Sequence, residues 1–252
     1  MNCFSKEYAN LYDLIYKKKN YKKEFFFIKK IINKYLIRSK SILDLGCGTG
    51  NYSNLMTKLG LEVVGVDKSM HMLSIAKKKY QNNSKLKFFN SNIQNLNLKK
   101  NFDIVCALFH ILSYQTKSQD IKKFFLNSRN HLKKNGLIIF DFWFKDGVLN
   151  LRLPLKCLKV SNNKYFVYRI TRPRWFKKKD QIHDIHEMIV VDKKSRKTRI
   201  FKEIHKMRYF QLSIIKKYLR FFNFKYLLSV DLLTNKFPDK NSWGALVVAR
   251  KI

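Results

Sequence analysis

Apolar residues recur at three- and four-residue intervals from Asn10 to Leu36, with one break near Lys17–Asn20. That period places them on one helix face and predicts two N-terminal helices. The pattern then shortens. Ser41–Gly46, Leu61–Asp67, Lys85–Asn90, Phe102–Phe109 and Leu137–Trp143 are brief apolar runs of strand length. Helical spacing lies between them: a helix opens at Thr49–Asn51 and runs to about Lys58. A second starts at Ser69, which reads as an N-cap, and runs to about Tyr80. A third covers Gln119–Leu132, with Lys134–Gly136 as its C-terminal stop. Strands alternating with helices at this spacing predict right-handed β-α-β units and a parallel sheet. After Trp143 the rhythm changes. Lys164–Ile170, Ile182–Asp192 and Arg199–Phe210 read as long antiparallel strands, with Val191–Lys197 as a hairpin connection. A helix over Gln211–Phe222 and two closing strands, Phe224–Leu233 and Trp243–Lys251, complete the pattern. The chain divides into N-terminal helices and an α/β core (1–145), an antiparallel insertion (146–209), and a closing helix with two strands (210–252).

Composition supports a packed core: 46% of the 252 residues are hydrophobic and 15% aromatic. No apolar run approaches the roughly 18 residues of a membrane span. The first residues carry Glu7 and Asp13 and lack the apolar stretch of a secretory signal. Cys3, Cys47, Cys106 and Cys157 form no CxxC pair, which fits a reducing, cytoplasmic setting better than a disulfide framework. With 53 basic and 17 acidic residues the net charge is +36, and such a charge attracts polyanions. The cations are mostly lysines spread in pairs and triplets over the whole chain, as a solvated surface would have them.

One stretch breaks the lysine-rich, glycine-poor composition. Ser41–Gly50 has no lysine and holds three of the eight glycines, at Gly46, Gly48 and Gly50. Alternating glycines after a strand allow a tight turn and a close approach of backbone to ligand. The following helix offers unpaired N–H groups to it. Asp44 can accept from a cationic amino group. Asp67, at the tip of the second strand, can hold the two hydroxyls of a ribose.

Ile42–Gly50 followed by Val63–Leu73 resembles the first two motifs of the class I S-adenosylmethionine-dependent methyltransferases. The third glycine comes one residue sooner than in a dinucleotide loop. Ser91–Leu96 continues the resemblance, with Asn92 where the family often has an acid near adenine. The resemblance implies an α/β fold: a seven-stranded, mostly parallel sheet with helices on both faces and its last strand antiparallel. The predicted antiparallel β insertion follows strand five. It also implies that S-adenosyl-L-methionine is the cofactor. Gly46, Cys47, Gly48 and Gly50 would lie under its methionine part, Asp44 at its amino group and Asp67 at its ribose. Lys68, Met70, Asn92, Ile93 and Leu108 would line the rest of its site.

The acceptor side is read from three places. Tyr8, Tyr12 and Tyr16 form one helical stripe, either a half-buried aromatic face or a cover over the active site. Similar Tyr-Asp openings occur in small-molecule methyltransferases, where a tyrosine matching Tyr12 caps the cofactor or faces the acceptor. His110 and Tyr114 follow the fourth strand at the sheet's carboxyl edge, where ligands bind. A neutral imidazole there can take a proton from an attacking amine or hydroxyl. Asp141 and Trp143 come to the same edge from the fifth strand. Phe109–Gly147 resembles a subgroup of bacterial small-molecule methyltransferases associated with sugar modification. The expectation is methyl transfer to an amine or hydroxyl of a small molecule, such as a nucleotide sugar. His110 and Tyr12 are the candidate catalytic residues; Tyr16, Tyr114 and Trp143 are the candidate acceptor contacts. A nucleic-acid methyltransferase and an inactive cofactor-binding protein stay open as alternatives. The first is weakened because no Asn/Asp-Pro-Pro-aromatic motif follows the fourth strand. No metal is expected: among His183, His186, Glu187 and His205, the first two differ by three on an extended strand and face opposite ways.

Overall fold

The structure is a computed structural model that describes residues 3–36 and 38–252; residues 1, 2 and 37 of the segment 1–145 lie outside the described residues. The two N-terminal helices are α1 (Lys6–Ile15) and α2 (Tyr21–Tyr35), each started by a side-chain cap. Ser5 accepts the Tyr8 N–H and Asn20 accepts the Lys23 N–H, which accounts for the break between the helices. The alternating segment follows as β1 (Ser41–Leu45), α3 (Asn51–Thr57), β2 (Glu62–Asp67), α4 (Met70–Lys79), β3 (Leu86–Asn90), β4 (Phe102–Ala107), α5 (Ser118–Asn130) and β5 (Leu132–Phe144). The insertion contains α6 (Lys145–Leu151), β6 (Lys156–Ser161), β7 (Tyr165–Phe176), β8 (Gln181–Asp192) and β9 (Thr198–Phe210). The chain closes with α7 (Leu212–Phe221), β10 (Phe224–Val230) and β11 (Gly244–Lys251).

The core sheet runs β3-β2-β1-β4-β5-β11-β10. The first five strands are parallel, and β11 is antiparallel to both its neighbours. Each central strand is apolar on both sides because helices cover both faces. Leu43, Val105 and Ile138 pack with Phe124 and Phe125 of α5 and Leu219 of α7. Their neighbours Ile42, Ile104 and Ile139 pack on the other face with Ile28 and Ile32 of α2 and Met56 of α3. No helix among the described residues is long and apolar enough to cross a membrane.

Strands β6 to β9 form an antiparallel ladder whose strand pairing with the core sheet, among the described residues, is that of Trp143 and Phe144 with Tyr209 and Phe210. The inner face of β8 takes every second residue: Ile182, Asp184, His186, Met188 and Val190. Its apolar end, Met188 and Val190 with Val167, packs on Tyr8, Leu11 and Ile15 of α1. Its polar end faces the carboxyl edge of the core sheet.

Two features depart from the sequence reading. Lys134–Gly136 does not stop a helix. His131 ends α5, its Nδ1 2.8 Å from the Asn127 carbonyl and its Nε2 accepting the Leu98 N–H at 3.1 Å. The chain enters β5 at once, and the three residues form an irregularity in its pairing with β4. Helix α6 and strand β6 were also not foreseen, being short and mostly polar or exposed.

Gly147 of α6 lies against the backbone of Ser242, and an added methyl would collide with the Ser242 carbonyl oxygen. Gly147→Ala is expected to cost about 1–3 kcal/mol, with roughly 2–4 °C of Tm lost per kcal/mol. Thermal unfolding followed by circular dichroism checks it; an unchanged Tm would show that the contact is not tight.

Candidate active site

The turn after β1 is held from beneath. Gly46 and Cys47 donate their N–H groups to the Val66 carbonyl at 2.7 and 3.0 Å. Gly46 and Gly48 have φ of +70° and +56°, the left-handed region that favours glycine. They differ in what surrounds them. A methyl on Gly46 would strike the Ile111 side chain, whereas one on Gly48 would meet nothing within 4 Å. The space over Gly48 is part of a cavity, so bare backbone forms its floor.

Asp67 completes this floor. Its Oδ2 accepts the Gly48 N–H at 2.9 Å and its Oδ1 accepts the Ser69 N–H at 2.8 Å. Burial raises its pKa, against these two bonds and the Lys68 charge. Each carboxylate oxygen keeps a further lone pair for a ligand hydroxyl.

Two chambers meet here. The first, about 250 Å³, extends from Gly46, Gly48 and Asp67 to His110, Trp143 and the polar end of the β8–β9 face. The second, about 360 Å³, is lined by Lys68, Ser91, Asn92, Ile93, Gln94 and Gln115 among others. Phe4, Gly46, Asp67, Ile111 and Tyr114 line both. A bare glycine floor, a carboxylate at the junction and a polar-edged second chamber fit a nucleoside joined to an amino-acid chain.

The structure gathers Tyr12, Tyr16, Gly46, Gly48, Asp67, His110, Tyr114 and Trp143 around the first chamber. Lys68, Asn92 and Ile93 line the second. Other candidate residues are placed elsewhere. Asp44 is fully buried and its Oδ2 accepts from the Ser53 hydroxyl at 2.5 Å. Desolvation pushes its pKa up to about 7; Asp67 adds to the rise and the Ser53 bond opposes it. It ties β1 to α3 behind the turn rather than lining the cavity. Cys47 packs toward Gly65, Gly50 starts α3, and Leu108 is buried in the α2–α3 core cluster. Met70 stands in solvent, with 68% of its surface exposed.

His110 sits on strained backbone: Phe109 and His110 both have left-handed φ, 65° and 64°. Asp141 holds this bend. Its Oδ1 accepts the His110 N–H at 2.8 Å, and its Oδ2 lies 3.2 Å from His110 Nδ1 in a bent contact. Burial first, then the nearby Lys19 cation, depress the imidazole pKa to about 3, with Glu24 opposing. Burial lifts Asp141 to about 6, against the His110 N–H bond and Lys19. At neutral pH the ring is therefore uncharged and Asp141 is mostly ionised. This polarity places the ring proton on Nδ1 and leaves Nε2 an acceptor.

Helix α1 roofs the first chamber and is pinned at both ends. Glu203 of β9 accepts the N–H groups of Phe4 and Ser5 at 2.8 and 3.0 Å. Asp13 accepts from Thr49 Oγ1, Asn51 Nδ2 and Lys79 Nζ at 2.7, 3.0 and 2.8 Å. Burial works against the Asp13 charge, but these bonds outweigh it and lower its pKa. Tyr12 and Tyr16 pack with ring centroids 4.7 Å apart and planes tilted by 52°, and the Tyr16 hydroxyl accepts from Arg169 at 3.3 Å. Tyr8 turns away from the cavity, toward the buried face of the insertion.

Residues 42–136 match the family model described as a methyltransferase domain. A crystal structure of an S-adenosylmethionine-dependent methyltransferase from Clostridium acetobutylicum superposes with a TM-score of 0.82 at 27% identity, covering 97% of this chain and 98% of that one. Residues 42–136 form a class I, S-adenosylmethionine-dependent methyltransferase domain. The chain is 32% identical over 136 residues to a protein of Geobacillus sp. (strain WCH70) classed provisionally as a methyltransferase, covering 53% of this chain and 55% of the relative. It is 24% identical over 140 residues to the dTDP-3-amino-3,4,6-trideoxy-alpha-D-glucopyranose N,N-dimethyltransferase of Streptomyces venezuelae, covering 55% and 58%. The chain thus spans about half the length of the curated relatives it matches.

Phe4, Ile111, Gln115, Asp184, Met207 and Trp243 line the cavity without having been singled out from the sequence. His186 and His205 also line it; the sequence favoured strand histidines lining a lid or a surface over metal ligands. Among the described residues no His, Cys, Asp or Glu trio is arranged to hold a metal.

Two predictions follow from this geometry. Asp67→Ala removes a charged acceptor from the junction of the chambers. It should weaken S-adenosylmethionine binding by about 10- to 100-fold, read by calorimetry; unchanged affinity would remove Asp67 from the site. The second concerns pH. His110 and His205 are held near 3 and His186 near 2, all chiefly by burial. Unfolding in acid lets them take up protons, so their stabilisation is present above pH 6.5 and is lost as pH falls toward 3. Asp44, Asp141 and Asp184 are raised to about 7, 6 and 6, so they favour the fold at low pH and disfavour it as pH rises through those values. The two sets oppose each other between pH about 4 and 6.5, and only the histidines act below that. Urea unfolding midpoints should therefore stay nearly level from pH about 6.5 to 4.5 and drop steeply below about 4. A steady decline from pH 7 would contradict these shifts.

Proposed function

We propose that this protein transfers a methyl group from S-adenosyl-L-methionine to an amine of a small, sugar-like acceptor. The observation that carries the reading is the shared cavity, which joins the glycine floor and Asp67 to a neutral, Asp141-held imidazole under the aromatic side chains of α1. Gly46 and Gly48 would lie under the amino-acid part of the cofactor, Asp67 at its ribose, and Lys68, Asn92 and Ile93 around its base. Bound there, the cofactor supplies a methyl group already activated by its sulfonium.

The chain's own residues then have four tasks. The floor and Asp67 fix the position of the donor side. Tyr12, Tyr16, Tyr114 and Trp143 shape the acceptor side and keep water out. As its lone pair is committed to the new N–C bond, the amine becomes an ammonium and sheds a proton to His110 Nε2. Asp141, 3.2 Å from Nδ1, steadies the imidazolium against the burial that holds the free ring near pKa 3. Tyr12 keeps its proton, because burial raises its pKa well above the ordinary phenol value. Alignment of this kind can supply roughly 7–11 kcal/mol of the barrier reduction. The general base adds about 10²–10⁴-fold.

Three things support a small acceptor. The first chamber, about 250 Å³, has to take the amino-acid part of the cofactor as well as the acceptor, which leaves room only for a small acceptor. Segment 146–209 acts in this reading as the acceptor lid, with α1 as its counterpart. The relative from S. venezuelae, in turn, is named for an amino-sugar substrate.

The test is to incubate the protein with methyl-labelled cofactor and dTDP-activated amino sugars and to identify labelled product by mass. His110→Ala should lower kcat by about 10²–10⁴-fold while leaving cofactor affinity within about twofold of wild type. Unchanged kcat would remove His110 as the base. Labelled cofactor that binds without product on any amino sugar would sink the acceptor reading.

A further inference from the structure

On the lid side of the acceptor chamber, Asp184 of β8 and His205 of β9 are direct partners in the antiparallel ladder, so their side chains leave the sheet side by side. Both line the chamber and both are more than nine-tenths buried. Each is incompletely satisfied. Neither carboxylate oxygen of Asp184 has a hydrogen-bond partner among the described residues, and its Oδ1 is wholly shielded from bulk solvent. His205 Nδ1 meets the Tyr114 hydroxyl at 2.9 Å, while its Nε2 is buried and unpartnered.

Unpaired buried polar groups cost free energy that an apolar residue would not. The same inner face of β8 carries Met188 and Val190 two and three pleats further on, so apolar side chains fit this surface. The cost is incurred only where the face meets the chamber. We propose that Asp184 and His205 form a subsite that recognises a hydroxyl on the acceptor ring beside the reacting amine. This rests on the amino-sugar reading above.

The chemistry selects a hydroxyl over other groups. With the Tyr114 hydroxyl donating to Nδ1, the His205 proton sits on Nε2, so a donor and an acceptor stand together. One hydroxyl satisfies both: it donates to Asp184 and accepts from His205. Burial holds the imidazole near pKa 3, hence uncharged, so no cation is offered to a phosphate. The Asp184 carboxylate would repel one. Arg169, whose charge counteracts the desolvation of Asp184, leaves the locality close to neutral. An ammonium bound to Asp184 would have no free lone pair for methyl transfer, so the amine itself belongs at His110.

Three dTDP-activated acceptors test this: the 3-amino-3,6-dideoxy, 3-amino-3,4,6-trideoxy and 4-amino-2,3,4,6-tetradeoxy glucoses, which carry two, one and no free ring hydroxyls. Wild-type kcat/KM should fall at one step of this series by at least about 100-fold, because a site built to bond a hydroxyl rejects the analogue lacking it. Asp184→Ala and His205→Ala should each shrink that step below about 10-fold, mainly through KM on the hydroxylated acceptor. Acceptor titration into protein saturated with S-adenosylhomocysteine should show the same change in Kd. Asp184→Asn keeps the volume and serves if the alanine variant does not fold. Cofactor affinity and Tm report folding in every case. A wild type that does not distinguish the three acceptors, or variants that keep the full step, would overturn the subsite and leave methyl transfer standing. Cofactor binding with no turnover on all three would overturn the amino-sugar reading, and the subsite with it.

Discussion

The site depends on one carboxylate. Asp67 receives the Gly48 N–H on one oxygen and the Ser69 N–H on the other, so a single side chain fixes the glycine turn after β1 and the start of α4 relative to the tip of β2. These two bonds add to the Val66 carbonyl contacts that already tie the glycine turn to β2. The glycine turn can then stay bare of side chains, because its shape is imposed from below by the Val66 carbonyl and from the side by Asp67. A ligand hydroxyl placed on the remaining lone pairs of Asp67 would meet an acceptor already oriented. Little reorganisation is left for binding to drive.

The acceptor chamber follows a second rule: its imidazoles are kept neutral. His110, His186 and His205 are depressed mainly by burial, and nearby cations push in the same direction. Neutral rings can each present one donor and one acceptor, which charged rings cannot. Asp141 uses this at His110, where the contact with Nδ1 decides which nitrogen is free. Thr171 and Tyr114 do the same for His186 and His205, at 2.9 Å each. The backbone strain at Phe109 and His110 is sustained because the Asp141 bond and the packing around it over-determine that turn.

Much of the core was legible because its periods are unambiguous. Continuous apolar runs between helical stretches admit a parallel sheet covered on both faces, and the glycine turn could only follow the first strand. The side-chain directions were harder. Asp44 shares the Ile42 face of β1, and all five residues of that strand are buried, so alternation could not show whether its carboxylate faced ligand or helix. Ser53, one turn into α3, decides it. Asp184 and His186 were hidden for the opposite reason. Polar residues at every second position of a strand ordinarily mark the wet face, yet here they occupy the buried one and the isoleucine at 185 is turned outward. Only the meeting of β8 and β9 with the core edge reverses that expectation. Lys134–Gly136 reads locally as a helix end; the ring of His131 ends the helix earlier and frees the triplet for the strand.

The large positive charge and the acceptor chamber are physically separate matters. Most lysines stand in water, where each contributes little to stability and salt screens it. Near the reacting groups the balance differs. Lys19 is bound to Glu24 at 2.5 Å and lies 4.5 Å over the Phe109 ring, and Glu24 is in turn bonded by the Tyr52 hydroxyl. Arg169 stacks 5.5 Å over Tyr16 and faces the field of Asp184. Lys19 and Arg169, the cations behind the acceptor chamber, thus each lie against an anion or an aromatic face. A polyanion drawn to the outer surface would find no corresponding excess inside, whereas an uncharged ring would find donors and acceptors already in place. The local balance of charge, rather than the total, therefore governs what the cavity can hold.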